Sequence, residues 1–291
     1  MEEIVNINGR IVQAEEARIS VFDRGFLYGD SVYEVTRSYE GVLFLLDEHL
    51  DRLWNSAAII GMKFSFGRPF LVSEIKKTFE ALGEAQAYIR VVVTRGEGPI
   101  TLDPGLELKN NLVIIGRKLQ DNPSWWYTKG VSLGIVNVLR NDKRSIDPNA
   151  KSGNYLNNIL AYGKAKEAGF YDAVMENHLG NITEGTTSNV FIVCNREIWT
   201  PPLGEGLLRG ITRTKIIELC QSHGILLKEK PFTAKDLLGA DECFISSSTR
   251  EVVPVTQVND RVLSNGKPGE ITQKVARLFR EYVQKVISED S

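Results

Sequence analysis

The sequence predicts a mixed α/β fold in two domains, and three observations carry that prediction. Runs with strand periodicity alternate with runs of helical period along the whole chain. The length, 291 residues, accommodates two medium domains. Between two apolar strand patterns lies Asp121-Asn122-Pro123-Ser124, a polar, proline-broken stretch that suits a linker. This reading gives a smaller N-terminal domain at 1–118, a linker at 119–127 and a larger C-terminal domain at 128–291.

In the N-terminal half, Ile4 to Ile7 and Arg10 to Val12 flank Asn8-Gly9, a dipeptide suited to a type I′ hairpin turn. Ile19 to Asp30 is a glycine-broken loop. It leads to a second hairpin, Ser31 to Tyr39 and Val42 to Leu45, turned at Glu40-Gly41. Asp47 has the character of an N-cap for a helix to about Ile60, with Leu50, Leu53, Trp54 and Ala57 as its buried face. Periodicity puts Arg52 with Glu48, His49, Asn55 and Ser56 on what looks like a solvated face. A second helix, about Leu71 to Ala81, precedes a strand from Ala87 to Thr94; Asn111 to Arg117 is another strand. Tyr88 and Arg90 project from one face of the first of these strands. Such a pair either lines a carboxylate pocket or forms a half-buried edge with a snorkelling arginine.

In the C-terminal half, Val131 to Leu139 is an apolar strand followed by the charged stretch Arg140 to Arg144. Lys151 comes after an Asp-Pro break, on a loop or strand end. The next residues mark a helix by the spacing of Leu156, Ile159, Leu160 and Gly163, the face expected to pack. A lysine there is either a surface charge or a Schiff-base nucleophile. Ala173 to Glu176 and Asn181 to Glu184 are strands. Glu184 is followed by Gly-Thr-Thr-Ser-Asn and a buried strand from Val190 to Val193, a setting that suits a carboxylate facing something cationic. Gly210 and Thr212 open a helix running to about Ser222; its start either binds an anion or is simply capped. A strand from Asp241 to Ile245 ends in Ser246-Ser247-Ser248-Thr249-Arg250, hydroxyls that suit an anion or a turn. The last helix, Gly269 to about Ile287, is amphipathic.

The composition is 42% apolar and 25% charged with a net charge of −2, so nothing favours nucleic acid or an anionic membrane as partner. No apolar run is long enough to span a bilayer. The acidic start, Met1-Glu2-Glu3-Ile4, lacks the features of a signal peptide. Cys194, Cys220 and Cys243 are odd in number and far apart, which points to a reducing compartment, and a cytoplasmic protein is expected. His49, His178 and His223 lack the spacing of a metal site, so no metal is expected.

Taken together, these features are the parts a pyridoxal phosphate site requires: a lysine for the aldimine, a carboxylate for the ring nitrogen, and a helix start, hydroxyls and an arginine for the phosphate. The matching segments are Arg24 to Glu34, Glu48 to Leu53, Tyr88-Ile89-Arg90, Lys151 to Asn158, Glu184 to Asn189, Leu208 to Arg213, and Ser247-Ser248-Thr249 before Glu251 to Val255. As an ordered set they resemble the class IV (fold type IV) pyridoxal phosphate aminotransferases nearly end to end. That family includes branched-chain aminotransferases, D-amino acid aminotransferases and aminodeoxychorismate lyases. The resemblance implies a two-domain fold type IV enzyme with a small N-terminal α/β domain, a larger C-terminal pseudo-barrel domain, and assembly as a homodimer. It implies Lys151 as the aldimine lysine and as the base that moves the α-proton. It also implies Glu184 as partner of the pyridine nitrogen, Arg52, Ile211, Thr212 and Ser248 at the phosphate, and Tyr155 near the ring oxygen. Under this reading the helix bearing Arg52 lines the cofactor site instead of facing solvent.

Substrate contacts are implied for Tyr33, Tyr88, Arg90, Arg95, Thr249 and Arg250. Tyr88-Ile89-Arg90 and Tyr155 look like the branched-chain pattern. Thr94-Arg95-Gly96 with Tyr33 looks like the D-amino acid enzymes, in which an arginine of this region helps trap the carboxylate. Ser247-Ser248-Thr249-Arg250 departs from the small, uncharged Gly-Thr-Ala-Ala of branched-chain enzymes. Arg250 therefore either points away or binds a second carboxylate. The leading expectation is transfer of an amino group from a branched-chain L-amino acid to 2-oxoglutarate. D-amino acid transamination comes next, then a lyase making 4-aminobenzoate. A non-catalytic pyridoxal phosphate-binding protein comes last, because Lys151, Glu184 and Arg52 are all present.

Overall fold

The computed structural model describes residues 3–106 and 108–290. They divide into two compact units. One takes in residues up to Gln120, Ala150–Asn154 and those from Val286 onward; the other takes in Asp121–Asn149 and Tyr155–Lys285.

The first unit contains, in order, β1 (Glu3–Ile7), β2 (Arg10–Gln13), α1 (Arg24–Tyr28), β3 (Ser31–Tyr39), β4 (Val42–Leu43), α2 (Leu46–Ile59), α3 (Arg68–Leu82), β5 (Ala87–Thr94) and β6 (Asn111–Lys118). Its six strands form an antiparallel sheet in the order β2-β1-β6-β5-β3-β4. Asn8 and Gly9 both have positive φ, 53° and 93°, which is the type I′ geometry that matches strand twist. Alternation along β5 divides its side chains between faces. Ile89, Val91 and Val93 enter a core with Leu50 and Leu53 of α2 and Leu71 and Ile75 of α3. Tyr88 and Arg90 take the other face.

Two local expectations change. The loop at 19–30 contains α1, because Asp23 Oδ1 accepts from the Gly25 N–H at 2.7 Å and Gly29 ends the turn at φ 67°. Asp47 does not cap α2; Leu45 holds that position, and the Asp47 carboxylate lies inside the first turn, bonded to Arg68 Nη2 at 2.8 Å.

The second unit contains α4 (Trp125–Thr128), β7 (Val131–Ile135), α5 (Leu156–Glu167), β8 (Asp172–Glu176), β9 (Ile182–Gly185), β10 (Asn189–Cys194), β11 (Glu197–Thr200), α6 (Ile211–Ser222), β12 (Leu227–Glu229), α7 (Ala234–Leu238), β13 (Glu242–Ser247), β14 (Glu251–Val258), β15 (Arg261–Val262) and, up to Lys285, α8 (Glu270–Asp290). A nine-stranded mixed sheet runs β12-β11-β10-β13-β14-β7-β8-β9, with β15 beside β14. β7 stops at Ile135, short of Leu139. The apolar run continues because Val136 and Val138 pack beside Ala161 and Ala165, without strand pairing.

The helix after Lys151 packs by a different face from the one expected. Asn158, Ala161 and Ala165 face inward against Ala173 and Met175, where small side chains allow close approach. Leu156, Ile159 and Leu160 are 67%, 62% and 55% exposed.

The N-terminus of α8 is held by a distant carboxylate. Glu242 of β13 accepts from the N–H groups of Ile271 and Thr272 at 3.0 and 2.8 Å and from the Thr272 hydroxyl at 2.7 Å. A side chain at Gly269 would run into Glu242. This is an N-cap supplied through tertiary structure. Glu242→Ala is expected to cost about 2 kcal/mol, by loss of the cap and of charge-assisted hydrogen bonds. Glu242→Gln, which keeps an acceptor oxygen, should cost less. Denaturant titration of the three proteins checks the order.

Candidate active site

Lys151 belongs to the first unit although the chain on both sides of it belongs to the second. Its N–H donates to Ser56 Oγ of α2 at 3.0 Å, and its carbonyl accepts from the Tyr33 N–H of β3 at 2.9 Å. One residue on, Ser152 bridges Val32, and the Gly153 N–H donates to the Ser31 carbonyl at 2.9 Å. The segment thus lies along the start of β3 like a short extra strand. A Cβ at Gly153 would meet Ser31 Oγ, so any side chain there requires Ser31 to move.

This backbone clamp sets the side chain. Lys151 Nζ lies 3.3 Å from the Tyr33 hydroxyl and 4.4 Å from the ring centroid. The Arg90 guanidinium lies over the same ring at 4.0 Å. Sheet register explains the grouping, because Val35 faces Arg90 and Tyr33 faces Val92, which puts Tyr33 and Arg90 on one face of neighbouring strands. Among the described residues Arg90 has no carboxylate partner. Tyr88 is not part of this group; its ring stacks against Arg117 at 4.5 Å. Arg95 is not either. Its guanidinium is buried, bonded to Asp30 at 2.7 Å and to the carbonyls of Ile60 and Gly61 at 3.0 and 3.1 Å.

Arg52 sits in a buried ion cluster. Its Nε and Nη2 pair with the two oxygens of Glu34 at 2.6 and 2.8 Å, and His49 Nδ1 lies 2.7 Å from Glu34 Oε2. Ser56 Oγ, which receives the Lys151 N–H, donates to the Arg52 carbonyl at 2.8 Å. Burial pushes the Glu34 carboxyl up, but the Arg52 charge and the hydrogen bonds from Arg52 and His49 outweigh it and bring its pKa to about 2. Burial pushes His49 down; Glu34 opposes this, and the charges of Arg52 and Lys151 reinforce it. A neutral His49 must therefore carry its proton on Nδ1 to donate to an ionised Glu34.

In the second unit three segments converge where β9 and β13 end and β10 begins. Glu184 is buried. Its Oε1 accepts from Arg140 Nε and Nη2, both at 3.0 Å, and its Oε2 accepts from the Leu208 N–H at 3.2 Å. Asn189 Nδ2 donates to the Leu208 carbonyl at 3.0 Å, and a Cβ at Gly210 would meet Asn189 Oδ1. The glycine therefore lets the start of α6 approach β10. Ile211 and Thr212 open α6, which carries no side-chain cap, and the Thr212 side chain is buried. Asn189 pairs with Ser246, which brings the turn bearing Ser248 and Thr249 alongside. Arg250 turns back into the protein, bonded to Ser247, Tyr171 and Thr187. Tyr155 occupies the N-cap position of α5, and Asn158, one turn on, donates to the Thr186 carbonyl at 2.7 Å.

These donors suit a phosphorylated pyridine aldehyde. A helix start without a side-chain cap suits the phosphate, a buried carboxylate gripped by an arginine suits a pyridinium nitrogen, and a lysine amine beside a phenol suits the aldehyde. Sequence reasoning missed Glu34 and His49 as partners of Arg52, and Arg140 as partner of Glu184. His49 and Ser56 share helical spacing with Arg52, but only tertiary packing makes that face a buried one. Arg140 had no local signal, since its partner is 44 residues away.

Residues 31–258 match the family model described as Amino-transferase class IV. A Methanocaldococcus jannaschii protein, provisionally named a branched-chain-amino-acid aminotransferase, is 38% identical over 277 residues, 95% of this chain and 95% of that one. The D-alanine aminotransferase of Bacillus licheniformis is 37% identical and covers 93% of this chain and 94% of its own length. The crystal structure of a branched-chain aminotransferase from Thermoproteus uzoniensis with norvaline superposes with a TM-score of 0.89 at 33% identity, covering 96% of this chain and 94% of that one.

The ion cluster makes stability depend on pH. Glu34 has a folded pKa near 2 against an ordinary value of 4.5, so its contribution is complete above 4.5 and is lost as pH falls toward 2. A shift of that size corresponds to something on the order of 3 kcal/mol. His49, also lowered from 6.5, begins to oppose folding as pH falls below that value. The melting temperature is therefore expected to decline below about pH 6.5 and more steeply in the acid range. Glu34→Gln should be markedly less stable than wild type at pH 7, with the gap narrowing as pH falls below 4.5 and closing only near pH 2. Parallel melting curves across that range would contradict this account of the cluster.

Proposed function

The chain belongs to the class IV aminotransferases and has their fold type IV architecture, and on that premise we propose that it moves the amino group of a branched-chain L-amino acid to 2-oxoglutarate. Enzymes of this class use pyridoxal 5′-phosphate. When bound, that group supplies an aldehyde that condenses with an amine and a protonated ring that accepts the electron pair released when the α-proton leaves.

The chain's own residues supply the rest. Lys151 Nζ takes the α-proton and returns it on the other side of the reaction, acting as both base and acid. The Tyr33 hydroxyl, 3.3 Å away, orients that amine. Glu184, paired with Arg140, would keep a proton on the ring nitrogen. Arg52, the backbone of Ile211 and Thr212, and the hydroxyls of Thr212 and Ser248 would hold the phosphate. Tyr155 would serve the ring oxygen, and backbone near Thr249 would receive the substrate carboxylate.

One observation carries the choice of substrates. Arg90 stacks on the tyrosine that contacts Lys151, and it has no carboxylate partner among the described residues. A dicarboxylic oxo acid brings a second carboxylate to such a cation, while an aliphatic side chain packs against the same aromatic surface. Arg95, the arginine a D-amino acid reading would use as its trap, is held by Asp30 and two carbonyls, which weighs against that reading. The lyase reading has no comparable support. The D-amino acid alternative keeps the named relatives with that activity on its side.

The test is spectrophotometric. Cofactor-loaded protein is mixed with single amino acids, and conversion to pyridoxamine phosphate is followed. L-leucine and L-valine should convert it and D-alanine should not; conversion by D-alanine alone sinks the branched-chain reading. Lys151→Ala should abolish conversion. Arg90→Met should raise KM for 2-oxoglutarate at least tenfold while changing the L-leucine half-reaction less than threefold.

We also propose a homodimer that covers the face of α5. Leu156, Ile159 and Leu160 are three large apolar side chains on a single helix surface, an arrangement that isolated surface residues do not produce. Light scattering should give twice the chain mass. Ile159→Lys should raise the monomer fraction; an unchanged dimer would remove this face from the interface.

A further inference from the structure

The turn between β13 and β14 is held from two sides by groups that the transaminase reading does not use. The turn is closed by the Arg250 N–H donating to the Ser247 carbonyl at 3.3 Å, and it exits through Glu251 at φ 60°, a conformation that costs a non-glycine residue free energy. A turn with that exit needs outside support to keep one shape.

The first support is the Arg250 side chain. Its Nε donates to Ser247 Oγ at 3.0 Å, its Nη1 to the Tyr171 hydroxyl at 3.2 Å, and its Nη2 to the carbonyl and hydroxyl of Thr187 at 3.0 and 2.7 Å. Asp172 Oδ2, buried and without a hydrogen bond among the described residues, faces Nη1 at 3.6 Å. A guanidinium has five N–H groups in a planar fork. Here every nitrogen is directed at protein, and the charge is balanced by Asp172. This arrangement ties the turn to the segment after Glu184.

The second support comes from the stretch whose composition marks it as a linker. Asn122 Nδ2 donates to the Thr249 carbonyl at 3.0 Å and to the Tyr127 hydroxyl at 2.8 Å; that hydroxyl donates in turn to the Arg250 carbonyl at 3.0 Å. Two successive carbonyls of the turn are thus held by one short chain of hydrogen bonds. Because peptide units are planar, fixing these two carbonyls also fixes the planes that carry the Arg250 and Glu251 N–H groups, and so the backbone path that closes the turn.

We propose that Asn122, Tyr127 and Arg250 are positioning residues that hold the 247–250 turn in the shape that receives the substrate α-carboxylate. The inference rests on the reading that backbone near Thr249 faces that carboxylate. It makes Arg250 a strut of the turn, not a receptor for a second carboxylate on the substrate. It also explains how Ser-Ser-Thr-Arg stands where smaller, uncharged residues are expected: the bulky cation is turned into the protein, and the extra hydroxyl of Ser247 is its partner.

The test separates carboxylate binding from everything else by using two probes on cofactor-loaded protein without turnover. One is 4-methylpentanoate, which has the carboxylate and no amine. The other is 3-methylbutylamine, which has the amine and no carboxylate. Dissociation constants are read from the shift in the visible band of the bound cofactor. Tyr127→Phe, Asn122→Ala and Arg250→Lys are each expected to weaken 4-methylpentanoate at least fivefold and to leave 3-methylbutylamine within twofold. Tyr127→Phe keeps the ring and its packing, so it carries the test if an Arg250 variant does not fold. Because Asn122 and Tyr127 act through one hydrogen-bonded chain, their double variant should weaken the carboxylate probe by less than the product of the single effects. Equal weakening of both probes would mean a general structural role and overturns the proposal, as does no weakening of either or no binding of 4-methylpentanoate by wild type. Arg250→Lys losing affinity only for L-glutamate, with 4-methylpentanoate unaffected, would overturn it in favour of direct contact with a second carboxylate. Failure of the transaminase reading shows separately, as wild-type protein that forms no pyridoxamine phosphate with any amino acid.

Discussion

Two main-chain hydrogen bonds decide where the Lys151 side chain goes. Donation from Lys151 to Ser56 and acceptance from Tyr33 bind a five-residue return of the chain to the first unit's sheet and to α2. The amine then has little choice of neighbours. It meets the phenol of Tyr33, whose ring is already stacked with Arg90 through the register of β3 and β5. Ser56 joins this backbone clamp to the carbonyl of Arg52, and Arg52 is joined to Glu34 and His49. A lysine on a flexible loop would sample many positions, at an entropic cost to any geometry the chemistry requires. Here the cost is met when the protein folds.

The second unit applies the same logic to a carboxylate. Glu184 is buried, which on its own disfavours the charged form. Two contacts from Arg140 and one backbone N–H offset that penalty without a mobile partner. The Leu208 N–H belongs to the segment that becomes the start of α6, so the carboxylate and the helix N-terminus are aligned by a single hydrogen bond. The Gly210 approach to Asn189 then sets the spacing between that start and β10. Fixed partners of this kind hold a charged group in place without reorganisation.

Much of the fold was legible in local chemistry. Asn8-Gly9 is a turn of the expected kind because both residues tolerate positive φ, and at Glu40-Gly41 the glycine carries φ 90°. β5 has its expected ends because the run is rich in β-branched residues and its burial alternates from Ala87 to Val93. What failed was face assignment. On α5 the large apolar side chains are outside and alanines are inside, since close packing against Ala173 favours small residues and periodicity cannot tell which neighbour a face will meet. The face with Arg52 looked solvated for the same reason: charge and helical spacing are visible in the sequence, but a buried Glu34 on another element is not. In the site, Lys151 and Glu184 stood out because of their unusual local settings, while Arg140 did not. The return of 150–154 to the first unit was also hidden, because a hydrogen bond to Ser56 leaves no mark on composition.

The arginines show best how function is divided in this chain. Arg52, Arg90, Arg95 and Arg250 are chemically identical, and from the sequence each is a candidate to bind an anionic ligand. The structure separates them by partner. Arg95 has Asp30 and two carbonyls, and Arg250 has Asp172 with three hydroxyls and a carbonyl. Both are embedded where removal would leave buried acceptors without donors, the more costly half of breaking a buried pair. Arg52 has one fork on Glu34, which sets its plane and leaves its role toward an anion a matter of orientation. Arg90 alone rests on an aromatic face without a carboxylate among the described residues. A cation in that state gains most from an incoming anion, since no existing ion pair has to be broken. On the proposed function, a substrate's second carboxylate would be met by the arginine that has no carboxylate partner among the described residues, and the number of arginines near the site says little about it.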